Sequence, residues 1–129
     1  MGQPVMQWQI LAKQPDKLAD FYTKLFDWDI DTNNALNYRM VDTGSERGIN
    51  GGIWPAPPQG PSLVSLYVEV DDVATYVSRA TELGGKVVMP IQQLPDGDVM
   101  AIILDLEGIP VGIFKPAAVY FVPKSNRSV

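Results

Sequence analysis

Gly48-Ile49-Asn50-Gly51-Gly52-Ile53-Trp54 returns 60 positions later as Gly108-Ile109-Pro110-Val111-Gly112-Ile113-Phe114. Both copies follow an acidic residue closely (Glu46, Glu107), and both run into a proline (Pro55, Pro116). A repeat whose period is nearly half of a 129-residue chain points to two copies of one structural unit.

Working outward from the motif, the same order of elements precedes each copy. In the first half Val5 to Leu11 alternates as a strand, and Pro15-Asp16 is a helix start. Leu18, Phe21, Tyr22, Leu25 and Phe26 then form the stripe of an amphipathic helix packed on a sheet. Short strands are expected at Trp28–Asp31, Leu36–Asp42 and Ile49–Trp54, with turns at Asn33-Asn34 and Thr43-Gly44-Ser45. In the second half Leu63 to Val70 is the opening strand, and Asp71-Asp72 supplies an N-cap followed by an acidic first turn for a helix whose apolar face is Val73, Tyr76, Val77, Ala80 and Leu83. Gly84-Gly85 ends that helix. Strands follow at Lys86–Met89, Asp98–Leu104 and Ile109–Phe114, with a turn at Pro95-Asp96-Gly97. An offset of 58 pairs Leu25 with Leu83 and Gln7 with Ser65, and it grows to 60 where Gly52 pairs with Gly112. The halves therefore differ by a two-residue insertion.

The expected organisation is one domain over residues 1–129. Module 1 covers about 5–54, a Pro-rich linker 55–61, module 2 about 62–116, and a tail 117–129. Four prolines in the linker exclude a central strand or helix interior there. A lone β-α-β-β-β unit leaves one sheet face uncovered, which gives the copies a reason to stay together. The tail carries Ala117-Ala118-Val119-Tyr120-Phe121-Val122-Pro123, too apolar for a solvated end, so it is expected to dock on its own domain or on a second subunit.

Composition excludes several chemistries. The net charge of −5 argues against nucleic-acid binding. No run approaches a membrane span and no signal pattern opens the chain, so a cytoplasmic protein without membrane association is expected. There is no cysteine and no histidine. Disulfide and thiolate chemistry are therefore absent, together with the commonest metal ligand and the commonest acid–base group near neutral pH.

The segments PDKLADFYTKLFDWDI, VEVDDVATYVSRATELGGKV and ILDLEGIPVGIFKP, within the duplicated order of elements, resemble the vicinal-oxygen-chelate superfamily. That superfamily includes glyoxalase I, bleomycin-resistance proteins and extradiol dioxygenases. The resemblance runs from about Val5 to Pro116. It implies an α+β fold, two tandem βαβββ modules forming a curled mixed sheet with a central cleft. It also implies metal ligands at four equivalent strand positions, which here carry Gln7, Gly52, Ser65 and Gly112. Two glycines, a hydroxyl and an amide do not make a divalent-cation site. The expectation is therefore no metal, no cofactor, and no metal-dependent glyoxalase or dioxygenase activity.

Candidate cleft residues follow from parity. Gln7 and Gln9 share one face of the first strand, which is either a polar pocket or a wet surface. Tyr67 and Glu69 share the parity of Ser65, and Glu69 faces either the cleft or solvent. Trp54 and Phe114 are equivalent by the repeat and stand beside Gly52 and Gly112, either as a stacking surface for a planar ligand or as core. Tyr38 with Met40, and Met100 with Ile102, are apolar walls or core packing. Trp8 and Trp28 are expected beneath the helices. A carboxylate site using Glu69, Asp98 or Asp105 is the lesser alternative to turn-end and surface roles. The reading that fits best is a metal-free protein that sequesters or carries a small organic molecule, acting as a homodimer. The alternatives are a metal-independent lyase or isomerase using Glu69, Tyr67 or Tyr38, and a non-catalytic dimeric interaction or regulatory domain with a vestigial cleft.

Overall fold

The computed structural model describes residues 2–31, 39–56 and 59–117. In chain order the elements are β1 (Val5–Ala12), α1 (Pro15–Phe26), β2 (Asp29–Asp31), β3 (Arg39–Asp42) and β4 (Gly51–Pro55). After them come β5 (Leu63–Glu69), α2 (Val73–Glu82), β6 (Lys86–Gln93), β7 (Val99–Leu104) and β8 (Pro110–Lys115). The strands join into one open mixed sheet in the order β2-β3-β4-β1-β5-β8-β7-β6. The fold is thus α+β, with two βαβββ modules meeting edge to edge at β1 and β5.

Strand register carries the duplication. β1 pairs antiparallel with β5, setting Gln7 opposite Tyr67 and Gln9 opposite Ser65. Exchanging each residue for its partner 58 positions away converts the first pair into the second, the signature of a two-fold relation through the seam. β1 runs parallel to β4, with Gln9 beside Gly52, while β5 runs parallel to β8, with Tyr67 beside Gly112. The offsets of 58 and 60 are both present in these two pairings.

Both helices cover the same face of the sheet. Beneath α1 lie buried Ala12, Val41 and Ile53, with Trp8, Ile10, Trp28 and Ile30 packed around them. Beneath α2 lie Val70, Val73, Ala101 and Ile113. Ala12 and Val70, Val41 and Ala101, and Ile53 and Ile113 are repeat-equivalent, so each small core is built from the same positions of its module. Trp28 stacks on Tyr22 at 5.1 Å between ring centroids and lies 5.4 Å from Trp8, as expected for tryptophans under a helix.

Proline starts α1, and Asp27 ends it in the left-handed conformation with its N–H donating to the Thr23 carbonyl. Asp72 caps α2 by accepting from the Ala74 N–H, and Gly84 (φ 102°) leaves it. Three sequence expectations need correction. The α1 stripe docks along Leu18, Ala19 and Tyr22, and Phe26 reaches Trp28 at 5.2 Å between ring centroids, but Phe21, Leu25 and Phe26 remain more than half exposed. The stripe is wider than the line along which a 12-residue helix touches a twisted sheet. Leu83 is the α2 C-cap rather than part of its packed face, and it is 76% exposed. β6 runs on through Pro90 to Gln93, well past Met89, because an edge strand tolerates a proline and β6 is bulged at two points against β7. The turn at Pro95-Asp96-Gly97 forms as read, closed by Gly97 N–H to Leu94 O at 2.8 Å. No helix among the described residues is long and apolar enough to cross a membrane.

Candidate functional site

Side chains alternate across a strand, so the positions that do not face the helices share the opposite side of the sheet. Around the seam this inner face carries Gln7, Gln9 and Leu11 from β1, Ser65, Tyr67 and Glu69 from β5, Gly52 and Trp54 from β4, and Gly112 and Phe114 from β8. Met40 pairs with Gly52, Met100 with Phe114 and Ile102 with Gly112, which extends the face outward on both sides. Tyr38 and the tail from Ala118 onward lie outside the described residues.

A cavity of about 140 Å³ opens on this face between the modules. Leu11, Trp54 and Pro55 line it from one module, and Tyr67, Met89, Gln92, Leu94, Met100 and Ile102 line it from the other. Of the sequence-derived candidates, Trp54, Tyr67, Met100 and Ile102 thus meet around one space. Gln7, Gln9, Gly52, Ser65, Glu69, Gly112 and Phe114 surround the seam without lining that space. Leu11 was legible from the parity of Gln7 and Gln9. Pro55 reads as linker but closes β4. Met89, Gln92 and Leu94 are brought in by β6 and its two bulges, which no parity rule places.

Tyr67 is the pivot of the arrangement. It is buried, and its ring lies over Gly112 so closely that a Cβ there would stand 2.5 Å from the Tyr67 Cε1. Phe114 contacts the same ring at 6.2 Å between centroids. Burial pushes the Tyr67 phenol up to about 12, so near neutral pH it is an uncharged hydrogen-bonding group and a poor base. Trp8 packs over Gly51 on the helix-covered face in the same manner.

Polar groups at the seam are held in different ways. The Ser65 hydroxyl is buried and donates to the Pro110 carbonyl at 3.0 Å, tying β5 to the start of β8. Gln9 is 1% exposed, and among the described residues its Oε1 accepts no hydrogen bond, which leaves a buried acceptor beside the seam. Asp105 accepts from the N–H groups of Glu107 and Ile109, the ordinary work of a turn carboxylate. Asp98 accepts from the Ala117 N–H at 2.6 Å, and its pKa is raised chiefly by burial. Neither of these two carboxylates lines the cavity.

The glyoxalase/bleomycin resistance protein/dioxygenase superfamily profile matches residues 5–113, and the chain belongs to that superfamily. The mycobacterial protein CFP32, named as a candidate glyoxylase in Mycobacterium tuberculosis and Mycobacterium bovis, is 33% identical over 103 residues. That match covers 74% of this chain, and the chain spans 39% of the length of those relatives. A superfamily member from Vibrio splendidus 12B01 superposes with a TM-score of 0.61 at 9% identity, covering 88% of this chain and 99% of the other. Methylmalonyl-CoA epimerase from Mycobacterium tuberculosis superposes at 0.59 with 13% identity, covering 88% of each chain. At such identities the structural likeness establishes the fold alone.

The superfamily's divalent cation does not fit the residues present. Gly52 and Gly112 supply no donor, and the Tyr67 ring occupies the space into which a side chain at 112 would project. Gln7 and Ser65 remain, a neutral amide and a neutral hydroxyl, without the carboxylate or imidazole donors that hold such an ion against water.

Proposed function

We propose that this protein binds a small organic molecule in the cleft between its modules, without a metal, as a sequestering or carrier protein. The observation that carries this reading is the cavity itself. An aromatic side chain from each module and two thioethers from the second converge on it, and no charged side chain lines it among the described residues. An apolar and aromatic lining with a few polar groups is the usual lining of small-molecule sites. The Tyr67 ring over Gly112 supports the metal-free part of the proposal, since it takes up the room a ligating side chain needs.

A thermal-shift screen against a broad panel of small molecules, with and without chelator, tests the proposal. A ligand at about a hundred times its dissociation constant stabilises the native state by roughly 2.7 kcal/mol. For a domain of this size that raises Tm by several degrees. The expected result is a shift with one chemical class that is indifferent to chelator. Stabilisation by Zn²⁺, Ni²⁺ or Mn²⁺ that a chelator abolishes would refute the metal-free reading.

A further inference from the structure

The class of ligand follows from the size and lining of the cavity, and rests on the binding function proposed above. The space holds about 140 Å³, close to the roughly 150 Å³ of an enclosed, engineered apolar cavity that accepts benzene, and differs from it in opening to solvent on one side. Trp54 and Tyr67 supply aromatic surfaces, and aromatic rings pack on one another in offset or edge-to-face arrangements. Met89 and Met100 place two polarizable thioethers around the same space, and sulfur–aromatic contacts are favourable. Gln92 adds a single amide, able to donate or accept. No charged side chain lines the space among the described residues, so an ionised ligand would give up part of its hydration and meet no counter-charge there.

We infer that the cavity accepts an uncharged, single-ring aromatic molecule bearing one hydrogen-bonding substituent directed at Gln92, and that Tyr67, braced on Gly112, limits the ligand to one ring. Because burial keeps the phenol neutral, the wall stays uncharged throughout the neutral pH range. Gln92 is exposed on the edge strand, so it can be replaced without disturbing either core. Ile102 lines the side of the cavity next to Gly112, so shortening it enlarges the space.

The test follows the methionine methyl resonances of the full chain by NMR during titration with phenol, toluene, cyclohexanol, benzoate and 1-naphthol. Met89 and Met100 are assigned by substitution. Phenol is expected to shift both, toluene to bind more weakly, and benzoate and 1-naphthol to leave them unmoved. Gln92→Leu should cut the preference for phenol over toluene roughly five- to tenfold, the worth of one neutral hydrogen bond. Ile102→Ala should admit 1-naphthol. Preference for benzoate, cyclohexanol or 1-naphthol in the unaltered protein would overturn the ligand class. An unchanged phenol preference in Gln92→Leu would overturn the role of Gln92. If the single-ring compounds are silent while the broad thermal panel finds another ligand, the aromatic class alone fails. Silence in both experiments removes the binding function with it.

Discussion

The contact between Tyr67 and Gly112 is the most sensitive point of the site. A methyl added at Gly112 would stand 2.5 Å from a ring carbon, so Gly112→Ala forces the ring or the strand to move. Overpacking of this kind costs about 1–3 kcal/mol, measurable by urea denaturation. The penalty should shrink in a Tyr67→Leu background, because a double-mutant cycle between touching residues is non-additive. Tyr67 also makes a prediction about alkaline pH. Its folded pKa is raised to about 12 from an ordinary 10.0 by burial. The native state therefore keeps a proton that the unfolded chain has already lost. The stability this contributes is fully present below pH 10 and disappears as pH rises towards about 12. Ultraviolet titration should show a tyrosine ionising in that upper range, missing in Tyr67→Phe. Arg39 is buried on β3, with its Nε donating to Asp16 Oδ1 at 2.8 Å. The aspartate is largely exposed, so Asp16→Ala should cost about 1–2 kcal/mol, between the values for surface and buried pairs.

The two helices hold to their modules with unequal economy. α2 is capped by Asp72, whose carboxylate accepts from the Thr75 hydroxyl at 2.7 Å and from the Ala74 N–H at 3.2 Å. The Thr75 bond is the main reason its pKa lies below 3.8. A lowered folded pKa contributes stability above the unfolded value and loses it as pH falls through the folded one. Asp72→Ala should therefore lower the unfolding midpoint at pH 7, and the difference from the parent should vanish as the pH drops below 3.8. α1 has no side-chain cap bond and leaves Phe21 and Leu25 half in water. Phe21→Ser, which loses little beyond the edge contact with Tyr22, should cost about 1 kcal/mol or less, whereas Leu18→Ala, packed on the buried core, should cost about 2 kcal/mol or more. Chemical denaturation of the two variants side by side separates a docked stripe from a merely apolar one.

For the molecule as a unit, the seam between β1 and β5 decides whether either module stands alone. Gln7 to Leu11 pair there with Leu63 to Tyr67, and the cavity is walled from both sides of that line. A chain ended at residue 56 would expose the whole edge of β1 and lose most of the cavity wall. Such a fragment is expected to show no cooperative thermal transition as a monomer in circular dichroism. A cooperative monomeric fragment would show that the modules are independent and that the cleft is secondary to stability.

Much of the architecture was present in the sequence, because it depends on local rules and on the repeat. The alternation of Gln7, Gln9 and Leu11, a helix cap within Asp71-Asp72, the Gly97 turn and the 58- and 60-residue offsets each follow from chain neighbours or from comparing one half with the other. The cleft residues Trp54, Tyr67, Met100 and Ile102 were legible for the same reason, since strand parity assigns a face before any partner is known. Parity could not say which members of that face would surround a single space. Strand order and the bulges of β6 bring Met89 and Gln92, with Leu94 just beyond the strand, to the cavity that Tyr67 lines. Those bulges break the two-residue rhythm that sequence reading relies on. Nor could it reveal that the Tyr67 ring lies over Gly112, because that contact joins adjacent strands 45 positions apart in the chain. The sequence by itself determined the duplicated fold and the residue types at four strand positions, since composition and periodicity are properties of the chain alone. Only the tertiary structure decided what fills the cleft, because packing depends on distances between segments that the sequence leaves far apart.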